Sequence, residues 1–557
     1  MKKSMKTLKS HAFPLLLFVL LTVISVWIAP KDNGQYVQWR MCDSTFHFSR
    51  MLSLDDALVA PTDFRYFSHM GAPINIMYPW LFLLSWRLLY ALVGHQLYLS
   101  YYLYSGLIIL TSLIITYYVV YRLQKKQGLA MTVAVIYTFA FYHMWGVYYR
   151  FSVGENLSFM VMPLLLLALH QIFFEKTPRW RTLAVVMTLT AYMHYLSLVM
   201  YSLVIATVLV IVILRHECQW SQLLALTKAA LWTIALSVAS LVPMMIYGHI
   251  NQLDLPHKGD VASRALNGDH FFEHAFRMSY GINAETCGWL ILVLGVISLI
   301  YFVKANAFDK SVIWVGWLSM VMTTTILNWH ELQTTFLGLM QFPWRFFSVT
   351  TLCFSYVGVK AVFYYLRSMK KIYPALLLMV LFFGFFVQDT VSYNRRVDDN
   401  PLYQRVDDKM LSEMIHNKIP WQGSGSLDYA PKKSMPQWRM FAGHYMRMDY
   451  HYYHLDVDTT AQTWKTSFQS PVEQKAILPV FANKDYQVEV NGRDVPLESG
   501  YNGGIQIPVQ AGENEVTVTA KNPPYIYLSW LFSGVMLCIF IYTSNKQQRQ
   551  KTIVKEE

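Results

Sequence analysis

Long runs of apolar residues recur along the chain and are separated by short polar segments. A helix needs about 20 apolar residues to cross a membrane, because its backbone amides find no hydrogen-bond partner in lipid. The first run ends near residue 29, and since no small-residue cleavage site follows it, it is predicted to be a retained first span. The other runs that fit are 98–121, 128–145, 157–174, 181–196, 197–214, 225–247, 288–303, 311–327, 346–365, 372–388 and 525–543. This pattern predicts an all-α, multi-pass membrane protein with twelve spans.

The loops rich in Lys and Arg decide how the apolar segment 74–94 is interpreted. These loops are 122–127, 175–181, 215–217, 304–310, 367–371 and 546–555, each two spans apart. One topology puts all of them on one side, which the positive-inside bias makes cytoplasmic. The basic N-terminus joins that side only if 74–94, which contains Pro79 and Arg87, does not cross. It is therefore predicted to be re-entrant or juxtamembrane, and the alternative is a thirteen-span topology.

A different pattern follows the eleventh span. The segments "YQVEVNG", "GGIQIPV" and "NEVTVTA" alternate apolar and polar residues and carry Asn-Gly and Gly-Gly turn signals, which is typical of short antiparallel strands. The prediction is a helical domain over 1–388 with a first outer loop 30–75, and an extracytoplasmic domain over 389–524. The latter holds a small β-sandwich-like module at about 460–523, and 525–557 form the last span and a cytoplasmic tail.

Composition agrees with a membrane protein and narrows its partners. Of 557 residues, 54% are hydrophobic and 14% are charged, and the formal net charge is +12. The basic residues lie mainly in short loops rather than in one patch. Their positions therefore indicate which side of the membrane each loop faces, and no nucleic-acid partner is expected. The five Cys show no paired spacing, so neither a disulfide framework nor a zinc site is implied.

The stretch Cys42–Arg50, "CDSTFHFSR", follows the first span. In a helix, residues i, i+4 and i+7 share one side, so Asp43, His47 and Arg50 would line one surface. Asp43 would accept a proton from a hydroxyl group, His47 would orient that group or hold a phosphate, and Arg50 would bind phosphate oxygens. The alternative is an interfacial amphipathic helix whose polar side simply meets water.

Further charged residues fall on the same predicted side. Arg150 and Glu155 lie in a tight turn between two apolar runs, where a charged pair needs a partner or a water-filled cavity. His194 and Arg345 lie where two more spans meet that side. Each alone is also explained as a helix anchor at the membrane interface. Together they predict an outward-facing cavity for the phosphate headgroup of a lipid.

The outer segment 443–458, "GHYMRMDYHYYHLDVD", interleaves Tyr, His and Asp. One hypothesis is that Tyr450, Tyr452 or Tyr453 stacks on a sugar ring of the acceptor, because aromatic faces suit the apolar faces of sugars. The other is a β-strand that alternates core Tyr with exposed polar groups. The spacing of the histidines in this segment fits no standard zinc site.

On these motifs the chain resembles the YfhO-like group of bacterial membrane proteins, also described as 6-pyruvoyl-tetrahydropterin-synthase-related membrane proteins, within the GT-C superfamily of glycosyltransferases. The resemblance runs over most of the chain. The group's patterns match as follows: D-x-x-F-H-x-x-R at Asp43, Phe46, His47 and Arg50; Y-x-R-x-x-x-G-E at Tyr148, Arg150, Gly154 and Glu155; Q-F-P-W-R at Gln341 to Arg345; and a hairpin of the outer β module at Val490 to Arg493.

The resemblance implies a glycosyltransferase of the bacterial plasma membrane. Its donor would be a polyprenyl-phosphate-linked sugar taken from the outer leaflet, and its acceptor a cell-envelope glycan or polymer. Asp43 would be the general base of an inverting transfer, helped by His47. The donor phosphate would meet Arg50, Arg150 and Arg345, with Glu155, His194 and Gln341 in supporting positions.

Two hypotheses without catalysis stay open. A transporter or flippase of lipid-linked intermediates would need the same cationic cavity but no base, and a non-catalytic assembly protein would only bind polymer. Transport could survive Asp43→Asn, whereas transfer should not. No cofactor is assigned. Relatives often have a second acid next to the first, and Asp43 lacks one. A divalent metal is therefore left open, and no metal ligand is assigned.

Overall fold

The computed structural model describes residues 2–29, 31–32, 35–39, 42–55, 57–254, 259–278, 284–370, 372–395, 403–416 and 428–556. Contacts between residues group the chain into two compact units, each built from segments far apart in sequence. The first unit comprises Met1–Ser44, Leu88–Ala229 and Lys258–Asp408, and the second comprises Thr45–Arg87, Ala230–His257 and Lys409–Glu557.

Helices dominate the chain. In order they are α1 Lys2–Trp27, α2 Ser44–Leu52, α3 Ile74–Met77, α4 Leu83–Leu92, α5 Leu97–Gln124, α6 Gln127–Thr138, α7 Phe141–Trp145, α8 Val153–Phe173, α9 Arg181–Ala191, α10 Tyr195–Leu214, α11 Trp220–Ile250, α12 Gly268–Arg277, α13 Trp289–Tyr301, α14 Ala307–Val321, α15 Trp329–Leu332, α16 Phe347–Tyr365, α17 Ile372–Arg395, α18 Asp408–Ile415, α19 Trp438–Ala442 and α20 Pro524–Glu556. A π-helical turn, Gly146–Arg150, follows α7.

The strands form three antiparallel sheets. The first, in the first unit, has the order β1–β2–β3, with β1 Lys31–Asp32, β2 Gln35–Trp39 and β3 Tyr403–Val406. The other strands are β4 Tyr445–Met448, β5 His451–His454, β6 Asp458–Thr459, β7 Thr463–Ser470, β8 Gln474–Phe481, β9 Tyr486–Val490, β10 Arg493–Val495, β11 Glu498–Ser499, β12 Gly504–Val509 and β13 Gly512–Ala520. They form two five-stranded sheets, β10–β9–β13–β7–β6 and β11–β12–β8–β4–β5.

The chain is a multi-pass membrane protein. Within the described ranges seven helices are long and apolar enough to span a membrane, and they lie at α5, α8, α10, α11, α16, α17 and α20. α6 and α7 with the π-helical turn form an eighth candidate that is bent by 44°. These eight correspond to predicted spans. The four remaining predicted spans fall on helices whose apolar part is shorter, α1, α9, α13 and α14, so the count of twelve stays a prediction.

Segment 74–94 contains only the short helices α3 and α4. Neither has the length of about 20 residues that a membrane crossing needs. The thirteen-span alternative therefore lacks the helix that it requires in this segment.

Close packing in the first unit depends on glycine at helix contacts. A Cβ atom at Gly295 of α13 or at Gly316 of α14 would lie 2.6 Å from the ring of Phe354 on α16, and one at Gly358 would lie 2.6 Å from Leu294 Cβ. Small residues let helices approach closely where no aqueous hydrophobic effect drives them together. α13 and α14 therefore pack directly against α16.

The loop after α1 is tied into the first unit. Its strand β2 pairs with β3, and just beyond β3 the carboxylate of Asp408 accepts the backbone N–H groups of Leu97 and Tyr98 at 2.8 and 3.0 Å. An acid at a helix N-terminus satisfies otherwise unpaired N–H groups and faces the positive end of the helix dipole. The ring of Tyr36 on β2 also stacks on Tyr98, with centroids 3.9 Å apart. The segment that leads to Asp43 is therefore held in place at β2.

The predicted β module is confirmed as a two-sheet structure in the second unit. Its core contains Trp464 and alternate residues of β9 and β13, such as Val488 and Val518. The Asn-Gly signal forms the turn between β9 and β10, where Asn491 and Gly492 both have positive φ, as tight hairpins require. The sheets also include β4 and β5, so the module begins before the predicted residue 460.

Candidate functional site

Asp43 is anchored in the first unit through its backbone. Its N–H donates to the carbonyl oxygen of Arg150 at 2.9 Å, and its side chain is only partly exposed. α2 begins at the next residue, Ser44. The expectation that Asp43, His47 and Arg50 share one helical stripe is therefore wrong in its first member, because Asp43 precedes the helix and pairs with another part of the chain.

A bend and a π-helical turn bring Arg150 and Glu155 together. The chain leaves the π-helical turn through Phe151, whose φ of 57° is left-handed, and enters α8 at Val153. Gly146 opens this turn, and a Cβ there would lie 2.6 Å from Asn156 Oδ1. π-Turns within helices are frequent at functional sites, since they shift side chains out of the 3.6-residue repeat.

Glu155 is the centre of a buried cluster of charges. Its Oε2 accepts Arg150 Nη1 at 3.2 Å and lies 3.6 Å from Arg345 Nε. Its Oε1 accepts the hydroxyl of Tyr142. One carboxylate thus faces two guanidinium groups in a buried environment, where an anion that is paired and hydrogen-bonded avoids most of its desolvation cost. We call Glu155, Arg150 and Arg345 the Glu155 cluster.

Aromatic rings hold the guanidinium group of Arg150. Its Cζ lies 5.0 Å from the ring of Trp145 and 4.5 Å from that of Trp344. Contacts of this kind stabilise a cation by about 0.5–2 kcal/mol each. They also fix the plane of the guanidinium group, so its N–H groups point along defined directions.

Arg345 is oriented by the segment that precedes it. Its Nη1 donates to the carbonyl oxygen of Met340 at 2.7 Å and to Gln341 Oε1 at 3.1 Å. Gln341 has a positive φ of 60°, and Pro343 opens the helical turn that leads into α16. His194, at the start of α10, shares a 2.8 Å hydrogen bond with Ser197 and is close enough to Glu155 to interact with it electrostatically. Three predicted positions, Arg150, Arg345 and His194, therefore lie around Glu155.

Burial raises the pKa of the Asp43 carboxyl above its usual value, while Arg150 and Arg345 act to lower it and Glu155 adds to the rise. These influences place Asp43 within the electrostatic reach of the Glu155 cluster. The neighbouring thiol is not a competing nucleophile, because burial raises the pKa of Cys42 to about 12 and leaves it protonated at neutral pH.

A second acid, which sequence reasoning missed, lies in reach of Arg150. Burial raises the pKa of Glu285, and Arg150 acts to lower it. Glu285 Oε2 lies 3.6 Å from Nδ1 of His274 on α12, and burial lowers the pKa of that imidazole. Glu285 is therefore a second candidate proton acceptor in the first unit.

His47 and Arg50 belong to the second unit, where both are buried. Arg50 Nη2 donates to the carbonyl oxygens of Pro79 at 2.6 Å and Tyr78 at 3.3 Å, and its Cζ lies 4.0 Å from the ring of Tyr78. Its Nη1 is 3.2 Å from His47 Nδ1. These contacts hold the turn at Pro79 against α2.

The three tyrosines of the predicted sugar platform also lie in the second unit. β4 and β5 form a hairpin whose turn residues, Asp449 and Tyr450, have positive φ. Tyr450, Tyr452 and Tyr453 are 85%, 52% and 41% exposed, and β5 lies at the edge of its sheet. The alternative of core tyrosines in an alternating strand is therefore wrong: all residues of β5 are exposed.

An apolar cavity lies in the first unit between α8, α10, α14 and α16. It begins at Val349, one helical turn from Arg345, and at Met162, about two turns from Glu155. Other residues that line it include Leu166, Val208, Val312 and Leu352. The volume of this cavity is about 30 Å³, which is too small for a hydrocarbon chain, so these helices pack closely beyond their charged ends.

No group of three or more His, Cys, Asp or Glu side chains among the described residues is arranged to hold a metal ion. The two acids in electrostatic reach of Arg150 come from different parts of the chain, since Asp43 precedes α2 and Glu285 precedes α13.

No protein-family model matches the chain, and no curated protein does. Among solved structures, the arabinofuranosyltransferase AftD from Mycobacteria is similar with a TM-score of 0.42 and 15% identity over 70% of this chain. A mutant of AftD gives a TM-score of 0.42 with 16% identity over 68%. ArnT from Cupriavidus metallidurans, bound to undecaprenyl phosphate, gives 0.37 with 10% identity over 78% of this chain and 80% of its own. This chain spans about a quarter of AftD, 27% of its length.

The YfhO-like group stays a resemblance, which none of these comparisons shows. Sequence reasoning missed Tyr142, Trp145, Trp344 and Glu285 as members of the site. An available signal for Trp145 and Trp344 was their position beside Arg150 and Arg345 at the ends of apolar runs.

Proposed function

We propose that the chain is a GT-C-type membrane glycosyltransferase. It transfers a sugar from a polyprenyl-phosphate donor to a hydroxyl group of a cell-envelope polymer or lipid-linked acceptor, on the outer face of the bacterial plasma membrane. The observation that carries the proposal is the 2.9 Å hydrogen bond that the Asp43 N–H donates to the carbonyl oxygen of Arg150. It holds a partly exposed acid beside the buried Glu155 cluster.

In the proposed reaction, the Asp43 carboxylate takes the proton of the acceptor hydroxyl as its oxygen bonds to the anomeric carbon of the sugar. The bond from that carbon to the phosphate oxygen breaks on the opposite side, and the electron pair leaves with the polyprenyl phosphate. Negative charge therefore grows on the phosphate, where Arg150 and Arg345 stabilise it. A carboxyl with a raised pKa is a stronger base than an ordinary aspartate, which suits proton transfer near neutral pH.

The position of the two arginines supports a lipid-linked donor. The guanidinium groups of Arg150 and Arg345 are buried, and each arginine lies at the end of a candidate membrane span. The phosphate of a membrane lipid would meet them there. Glu155 and Gln341 orient the two arginines in this scheme, and His194 interacts electrostatically with Glu155.

Other roles stay predictions. His47 is proposed to orient the acceptor and Arg50 to bind phosphate, and transfer assays of variants at the two positions would test these roles. The exposed Tyr450, Tyr452 and Tyr453 are proposed to stack on acceptor sugar rings. Replacing Tyr452 and Tyr453 with Ala should weaken acceptor binding without changing donor binding, and unchanged acceptor affinity would remove that idea.

Asp43→Asn tests the central proposal. Asn keeps the size and hydrogen-bonding capacity of the side chain but cannot take the proton, so transfer should fall by roughly 10²- to 10⁴-fold while donor binding persists. The assay uses purified protein in membranes with a polyprenyl-phosphate sugar and a labelled product. Full transfer by the variant at wild-type abundance would exclude Asp43 as the base and favour a flippase.

Glu285→Gln is the matched control, because Glu285 also has a raised pKa and lies in reach of Arg150. Its carboxylate already faces His274, so we expect less than a tenfold loss of transfer, the lower range of general-base effects being about 10². A larger loss for Glu285→Gln than for Asp43→Asn would move the base to Glu285.

A further inference from the structure

Rings and guanidinium groups alternate beyond the Glu155 cluster. Arg150 lies 4.5 Å from the ring of Trp344, whose centroid is 4.7 Å from that of Phe342 at an interplanar angle of 27°. Arg345 lies 4.8 Å from the Phe342 centroid, and Arg264, from the loop before α12, lies 4.4 Å from it. The Cζ atoms of Arg264 and Arg345, at 4.4 and 4.8 Å from one point, are thus at most 9.2 Å apart.

The loop fixes the position of Arg264. Two residues on, Leu266 exchanges backbone hydrogen bonds of 3.0 and 2.9 Å with Thr323 and Thr325. Two residues before, the Ala262 N–H donates to Gln333 Oε1 at 3.2 Å. The side chain is partly exposed and packs along Gly259, where a Cβ would lie 2.7 Å from Arg264 Nη2.

Stacking leaves the hydrogen-bonding edge of this guanidinium group available. A guanidinium group that lies over a ring uses its face, and its N–H groups project in the plane of the group, where they suit phosphate oxygens. Among the described residues no ion pair joins Arg264 to an acid. Asp260 interacts with it electrostatically, and Asp260 Oδ1 accepts the N–H of Ala262 at 3.1 Å.

We infer that Arg264 is a further phosphate-binding residue of this site, which holds the phosphate of a polyprenyl-phosphate donor together with Arg345 at the shared ring of Phe342. The inference rests on the proposed function and adds a loop residue to it. Glu155 partly neutralises Arg150 and Arg345, whereas Arg264 supplies a cation outside that cluster. A donor phosphate therefore meets positive charge from the loop as well as from the helix ends.

The test measures binding of undecaprenyl phosphate to the purified full chain in nanodiscs, with undecaprenol and inorganic phosphate as comparison probes. Arg264→Gln should weaken undecaprenyl phosphate binding by about 10- to 100-fold, the range for loss of a charged hydrogen bond, and leave undecaprenol binding unchanged. Arg264→Lys keeps the charge and loses the planar fork of donors, so its affinity for undecaprenyl phosphate should lie between those of the wild type and Arg264→Gln.

Arg277→Gln is the matched control. Arg277 lies on α12, its side chain is 66% exposed, and it pairs with Glu273 at 3.4 Å, so its loss should not change binding. Unchanged affinity in Arg264→Gln at the wild-type melting temperature overturns the inference. A loss in Arg277→Gln as large as that in Arg264→Gln also overturns it. If Arg264→Gln fails to fold, Arg264→Phe replaces it, and wild-type affinity in that variant overturns the inference.

The failures of the two ideas differ. If the wild-type chain binds undecaprenyl phosphate no better than undecaprenol, the proposed donor is wrong and the inference falls with it. If Arg345→Ala loses undecaprenyl phosphate and Arg264→Gln does not, only the inference is wrong. Inorganic phosphate that binds as tightly as the lipid, with the same dependence on Arg264, would identify a free-phosphate site and overturn the lipid assignment.

Discussion

Among the described residues of the first unit, the Glu155 cluster and a second buried set of charged side chains differ in how their charges balance. In the Glu155 cluster one carboxylate faces two guanidinium groups, at 3.2 and 3.6 Å, with the partly exposed Asp43 in electrostatic reach. In the other set, Asp309 of α14 pairs with Lys360 of α16 at 2.6 Å. The Asp309 side chain is fully buried and Lys360 is 16% exposed.

The difference separates a structural contact from a ligand site. A buried pair of one acid and one base leaves no charge for a ligand and joins two helices. Two cations on one acid leave positive charge, which the nearby Asp43 carboxylate or a bound anion would neutralise. Fifteen residues separate Arg345 from Lys360, which along α16 is about 22 Å, so the two sets lie toward opposite ends of this helix.

The largest expected effect is all-or-none and concerns which side of the membrane each set faces. A reporter fused after residue 126, near the Lys360 end of α16, should be cytoplasmic because of the basic loops. One fused near residue 280 should be external. Alkaline phosphatase and green fluorescent protein fusions measure this, and reversed locations would undo the outer site.

Lys360→Met should destabilise the protein by about 3–5 kcal/mol, because it leaves the Asp309 carboxylate buried without its cation. Thermal unfolding in detergent measures the loss. The double variant Asp309→Leu/Lys360→Met should recover most of it, since apolar replacement of a whole buried pair is often neutral. Transfer activity per folded molecule should change little in either variant. Lost transfer at a wild-type melting temperature would make the pair functional and remove the contrast.

Arg345→Ala should act on function instead. A phosphate contact works in both the bound state and the transition state, so donor affinity and turnover should both fall, affinity by roughly 10- to 100-fold. Donor titration and initial rates separate the two quantities. A drop in melting temperature as large as that of Lys360→Met, with donor affinity unchanged, would place Arg345 with the structural pair.

Much of the fold and part of the site could be predicted from the sequence. Apolar runs predicted the long helices, and alternation with Asn-Gly turns predicted the β module. Arg150, Glu155 and Arg345 were found because charges at the ends of apolar runs need partners, and helix ends on one side meet. Their roles stay predictions.

The remainder depends on contacts that no local pattern encodes. The π-helical turn moves Arg150 out of the 3.6-residue repeat, so its contact with Trp145 could not be read from spacing. Asp309 lies in the segment 304–310, which was predicted to be a basic loop, and in the structure it belongs to the first turn of α14. Its partner Lys360 is 51 residues away. Asp43 was placed in a helix because the i, i+4, i+7 spacing cannot show where a helix begins.

The smallest expected effect is a shift in pH dependence. Burial raises the pKa of Asp43, and the transfer reaction needs its carboxylate, so kcat/KM should fall with decreasing pH through a pKa above the usual aspartate range. Arg345 favours the carboxylate and lowers this pKa. Arg345→Gln should therefore move the acidic limb to higher pH, because it removes an opposite charge that favours the carboxylate. Asp309→Leu/Lys360→Met should leave the limb in place, since it changes no net charge and lies about 22 Å along the helix from Arg345. Profiles of kcat/KM from pH 4 to 8 for the three proteins measure the shift, and a limb at one pH in all of them would show that Arg345 does not act on the base.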